Sequence, residues 1–235
     1  MPGYQGDLTL RDKLWGETTL AAGRSAVIKK TYLLLTLSVV SGIAGGMVGA
    51  SSETAVRLFS GWLGWIIAMV VLNVVPRIAL AARHNPVLGV TALVFDGFVS
   101  GLVLAPILYI ASVIAPGVTF NAMVMTALVF TGVSAYVMTT TRVFSAPRGL
   151  MAGLFFSIIG VMVLNSFLHI GVLGMLLSLA IGVLGVLVLV YATSQVLNNP
   201  EADSPIPGAL MLFAGLFNIF VAILNLLLSF GRSRD

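Results

Sequence analysis

The chain has 235 residues, of which 59% are hydrophobic and only 9% charged, giving a mean hydropathy of +1.09. A water-soluble domain carries charge on about a quarter of its residues, so this balance excludes a soluble enzyme and predicts a polytopic helical membrane protein. The net charge of +4 then reports membrane topology, not affinity for nucleic acid.

Chemistry is narrowed further by what the chain lacks. It has no cysteine, which removes disulfides, thiol nucleophiles and thiolate metal sites. The histidines, His84 and His169, fall at predicted span ends and are too far apart to suggest a ligand pair by spacing, so neither a metal nor a cofactor is expected. No hydrolase elbow, phosphate loop or zinc-protease motif is present, and the protein is read as non-enzymatic.

Residues 1–30 are polar by comparison and lack the layout of a signal peptide, so they form a cytoplasmic N-terminal segment. Within it, Leu8 to Ala22 is either a short amphipathic interfacial helix or a loosely ordered tail. Residues 31–230 make up the membrane domain, and 231–235 a short basic tail. Seven apolar runs cover 31–50, 61–82, 87–113, 118–139, 149–168, 172–195 and 206–230, each near the ~20 residues that cross a bilayer. Turns are signalled by Asn85-Pro86, Pro116-Gly117 and Gly171. The connections leave no room for an extramembrane domain.

Lysine and arginine cluster before the first span and recur at Arg83, Arg142 and Arg148, against Arg57, Arg232 and Arg234 on the alternate connections. This bias predicts a multi-pass protein of the bacterial inner membrane, with the N-terminus cytoplasmic and the C-terminus outside. The loop carrying Glu201 and Asp203 is then cytoplasmic. It is either an ordinary solvated turn or a surface that faces a partner.

Asp96 lies inside the third run, where a carboxylate is costly enough to suggest function. Counting helical rise from the turn at His84-Asn85 puts it about 17 Å deep. The same count along span two reaches Asn73, with Arg77 one turn nearer the surface. Three readings stay open: a buried clamp of Asp96 with Arg77 and Asn73, a proton or cation site on a permeation path, or an Arg77 that snorkels away and leaves Asp96 alone. The other polar groups in spans, Ser100, Asn121, Thr126, Ser134, Asn165, Ser178 and Thr193, are expected to bond between helices.

The last run carries Gly208, Gly215 and Ala222 at intervals of seven beside Asn218 and Asn225. Small residues permit close approach and buried amides seek partners, so this helix is expected at the centre of the bundle.

Several stretches together resemble one family. They are Lys29-Lys30-Thr31-Tyr32-Leu33-Leu34, Val99-Ser100-Gly101-Leu102-Val103-Leu104-Ala105-Pro106-Ile107, and Tyr136-Val137-Met138-Thr139-Thr140-Thr141-Arg142. To these add Asn165, Tyr191 with Gln195, and Leu216-Phe217-Asn218-Ile219-Phe220. In order and spacing they resemble the Bax inhibitor-1 family in its bacterial, YccA-like branch. The resemblance implies seven transmembrane helices, six surrounding a central C-terminal helix. It also implies a pH-gated calcium leak governed by an aspartate on each of spans six and seven and an arginine ending span two. Here Ala192, or Thr193 if the register slips, and Gly215 stand at the aspartate positions, and only the arginine is kept, as Arg83. The family likeness further implies a protein partner, a membrane-anchored AAA protease. The expected role is therefore an accessory or regulatory subunit in the lipid bilayer. The alternative is a calcium or proton leak that uses Asp96 in place of the lost pair.

Overall fold

The computed structural model describes residues 10–140, 142–145, 148–168, 170–198 and 204–232. Its described residues are helical between short connections: α1 (Leu10–Ser51), α2 (Glu53–Phe59), α3 (Gly61–Ala81), α4 (Pro86–Val103), α5 (Ala105–Ile114), α6 (Val118–Thr139), α7 (Arg148–Leu168), α8 (Gly171–Asn198) and α9 (Pro205–Arg232). Six of them, α1 from Gly23 onward with α3, α4, α6, α8 and α9, are long and apolar enough to cross a membrane. α7 adds a shorter apolar stretch, Gly153–Asn165.

Local chemistry explains the breaks. Asn85 caps α4 by accepting from the Val87 and Leu88 amides, with Pro86 at the first helical position, where a missing N–H costs nothing. Gly117 starts α6 at φ +90°, in the left-handed region that favours glycine.

Two expectations need correction. The run 87–113 is two helices, because Pro106 has no amide to offer the Leu102 carbonyl and the chain turns at Leu104. Residues 51–60, a connection long enough for more than a turn, hold a short helix. Ser52 caps the short helix α2 through the Ala55 amide, and Glu53 pairs with Arg57 one turn on. The N-terminal segment is neither a separate interfacial helix nor a loose tail from Leu10 on, since α1 runs unbroken for 42 residues. That is about 63 Å at 1.5 Å per residue, twice the hydrocarbon thickness, so its N-terminal part projects from the membrane.

The bundle is organised on α9, which touches α1, α3, α4, α6 and α8. Ile206 meets Gly89 of α4, and Gly215, nine residues and about half a turn away, meets Gly185 of α8. Three apolar clusters share α9 as their common member. Leu35, Leu189, Ala192 and Val196 pack with Leu212, Phe213 and Ile219. Leu34, Ala79 and Leu93 pack with Ile206, Ala209 and Leu210, and Ala111 and Ala122 with Leu224 and Leu228. α7 packs on α8.

Candidate functional site

Two glycine seams hold the centre together. On α1 and α4, a side chain at Gly45 would overlap the Phe98 backbone, one at Gly101 the Gly42 backbone, and one at Gly97 the Ser38 backbone. The helices therefore touch main chain to main chain, and Ser41 donates across the seam to the Val94 carbonyl at 2.7 Å. On α8 and α9, the row spaced by seven lies along α8. Gly208 meets Val196, Gly215 meets Gly185 and Leu189, and Ala222 meets Gly182.

Asp96 is 4% exposed, on the inward side of α4. It stands two turns deeper than Gly89 on the same face, and Gly89 abuts Ala82, the residue that caps α3, and Ile206 of α9. Ser100, one turn further, is also buried. Among the described residues Asp96 makes neither an ion pair nor a hydrogen bond; the ion pair found there joins Arg57 to Glu53.

The proposed clamp is not formed. Arg77 and Asn73 are exposed, and the Asn73 amide donates to the Met69 carbonyl of its own helix. The cause is helix rotation. Ala79, wholly buried against Leu93 and Ile206, fixes which face of α3 turns inward. Arg77 lies two residues away, about 200° around the helix, and faces outward. Counting depth from a turn gives the level of a residue but not its azimuth.

The positions matched to the family aspartates lie in a closed seam. Ala192 is fully buried. A Cβ on Gly215 would already lie 3.1 Å from the Gly185 carbonyl oxygen and from Leu189, so a carboxylate there would force α8 and α9 apart. Asn218 borders the same seam, its Cβ 3.0 Å from where a side chain on Gly185 would begin.

The intramembrane hydroxyls and amides mostly satisfy themselves locally, contrary to expectation. Asn225 donates to Val221, Thr126 to Ala122 and Ser178 to Gly174, all to their own helices. Asn165 accepts from the Ile170 amide in the turn after α7. In an apolar medium the preceding turn's carbonyl is the nearest acceptor, and it wins over a partner helix. The Ser134 hydroxyl of α6 faces the Tyr32 hydroxyl of α1, as expected between helices, and the Thr193 hydroxyl is buried without a partner among the described residues.

The arginine-rich elements gather at one end. Arg24 donates to the Leu197 carbonyl ending α8, Ser204 before α9 donates to the Arg83 carbonyl at 3.1 Å, and Ser194 accepts from the Phe144 amide. Arg83 itself is exposed and turned toward His84. Glu201 and Asp203 lie outside the described residues. No group of three His, Asp or Glu side chains comes together among the described residues.

Sequence reasoning missed a cavity of about 600 Å³ between α1, α5, α6 and α9. Its walls come from helices distant in sequence, and its only foreshadowing is the bulk of Phe213, Phe217 and Phe220 on one flank of α9.

These features define a class: a multi-pass helical membrane protein wrapped on a buried C-terminal helix. The model of the family described as "Inhibitor of apoptosis-promoting Bax1" matches residues 24–232. The chain is 31% identical over 204 residues to the modulator of FtsH protease YccA of Escherichia coli K12, covering 86% of this chain and 89% of that protein. It is equally similar to the inner membrane protein YccA of Escherichia coli O6:H1. It is 28% identical over 218 residues to an uncharacterized membrane protein of Vibrio cholerae, covering 90% and 92% of the two chains. The chain belongs to the Bax inhibitor-1/YccA family.

Proposed function

We propose that this protein is a non-enzymatic accessory subunit of the bacterial inner membrane that binds and regulates a membrane-anchored AAA protease. The observation that carries this reading is the 31% identity, over most of both chains, to a protein named as a modulator of FtsH protease. The closed α8–α9 seam favours it over the family's leak, because Ala192 and Gly215 offer neither a carboxylate nor the space for one. In the proposed orientation the end bearing Arg24, Arg83 and Arg142 is cytoplasmic, in keeping with the excess of arginine and lysine there. The long N-terminal part of α1 and the Glu201/Asp203 loop are then the surfaces offered to a cytoplasmic partner. Affinity purification from native membranes after gentle solubilisation tests this. The protease should co-purify, and the association should be lost when residues 1–22 are deleted. Recovery of the protein without any protease would overturn the reading.

A second reading rests on one specific observation, the burial of Asp96 without an ion pair among the described residues. In it, this carboxylate exchanges a proton or binds calcium on a path between α3, α4 and α9. It predicts flux into liposomes that disappears in Asp96→Asn; equal background in both proteins removes it.

A further inference from the structure

Three polar side chains of α1 and α4 are buried without a partner among the described residues. Ser38 of α1 is 1% exposed, and its Oγ makes no hydrogen bond there. Asp96 and Ser100, one turn apart on the inward face of α4, are each 4% exposed, and neither makes a hydrogen bond or ion pair. Elsewhere in the spans Thr36, Thr126 and Ser178 reach a carbonyl of their own helix. Orphaned polar groups at this depth are costly unless something satisfies them.

The three belong to one place. A side chain on Gly97 would overlap the Ser38 carbonyl, so the turn of α1 bearing Ser38 rests on the turn of α4 bearing Asp96. One turn earlier on each helix, Leu34 and Leu93 share a cluster with Ile206 and Leu210 of α9.

α3 adds a further oxygen. Pro76 lies inside it and has no amide to offer the Leu72 carbonyl. Ala82 against Gly89, and Ala79 with Leu93, set the register of α3 on α4. Continued along both helices, that register brings Pro76 level with Asp96 and Leu72 level with Ser100. Leu72 precedes Ala79 by seven residues, about 20° around the helix, and so shares its inward face.

We propose that these groups form a site for one monovalent cation of the sodium class. Its ligands are the Asp96 carboxylate, the Ser38 and Ser100 hydroxyls and the Leu72 carbonyl. Charge selects the ion. One carboxylate balances one positive charge, and Lys29, Lys30, Arg77 and Arg83 are all exposed, so none of them supplies it. Calcium takes roughly six to eight oxygens, commonly from several carboxylates, and here would carry an unmatched charge into hydrocarbon. Free carbonyls at helix interruptions are ligands for sodium in membrane proteins. The proposal rests on the second reading of Asp96 and narrows its metal ion from calcium to a monovalent one.

Thermal unfolding of the purified full chain in detergent, over a sodium titration with choline chloride holding ionic strength constant, tests the site. The parent's melting temperature should rise with sodium, because the ion binds only the folded state. Asp96→Asn, which keeps the shape of the side chain, should fold in sodium-free buffer and show no rise. Ser38→Ala and Ser100→Ala should each weaken the apparent affinity several-fold and carry the test if Asp96→Asn does not fold. Arg77→Ala should respond as the parent does. A rise with calcium but not sodium, lost in Asp96→Asn, would overturn the monovalent assignment and leave the second reading standing. No rise with either ion would overturn the site, and liposome flux then decides the second reading by itself. An equal sodium response in the parent and in the Asp96, Ser38 and Ser100 variants would also overturn it.

Discussion

The two flanks of α9 solve opposite problems with one helix. Toward α8 it presents Gly208, Gly215 and Ala222, and the helices close until a methyl group added at Gly215 would lie 3.1 Å from the Gly185 carbonyl oxygen and Leu189. Toward α1 and α6 it presents Phe213, Phe217 and Phe220, which hold the neighbours apart and leave a groove. In a bilayer, lipid tails are as apolar as leucine, so helix association depends on close packing and not on hydrophobicity itself. Small residues therefore mark where this protein is sealed, and the phenylalanines mark where it stays open.

The contrast is broken most severely at the α1–α4 seam, which is tighter still. Gly45→Val places a side chain on the Phe98 backbone, and neither main chain can yield. Thermal unfolding in detergent should show a loss of about 3 kcal/mol or more, or no folded protein at all. At the α8–α9 seam, Gly215→Ala should cost about 1–2 kcal/mol in the same assay, since its Cβ meets backbone and Leu189 at 3.1 Å.

Asp96→Asn sharpens the comparison from the polar side. A buried carboxylate that has no ion pair among the described residues is a burden on the fold, so the variant should be as stable as the parent or about 1 kcal/mol more so. A loss of about 3–5 kcal/mol, as expected on breaking a buried ion pair, would restore the clamp. Arg77→Ala should be the smallest effect, within about 0.5 kcal/mol, because Arg77 is exposed and makes no ion pair among the described residues.

The sequence made the helical membrane class and the central last helix legible, because both follow from one-dimensional signals: apolar run length and the spacing of small residues. Gly215 could be read as a packing residue since its neighbours at ±7 repeat the pattern. That Arg77 turns away from Asp96 could not be read, because it depends on the rotation of α3, which Ala79 fixes through contacts with α4 and α9. The break at Leu104 was signalled by Pro106 but hidden within an apolar run long enough to pass as one span. The groove was invisible for a different reason: its walls join residues from Leu35 to Phe220, and a cavity leaves no residue of its own in the chain.

The most direct test of the regulatory reading is the rate at which a membrane-anchored AAA protease degrades a membrane-protein substrate in proteoliposomes, with and without this protein at equal abundance. The account predicts a changed rate that returns to baseline when residues 1–22 are removed. An unchanged rate with both proteins folded in the same vesicles would contradict it.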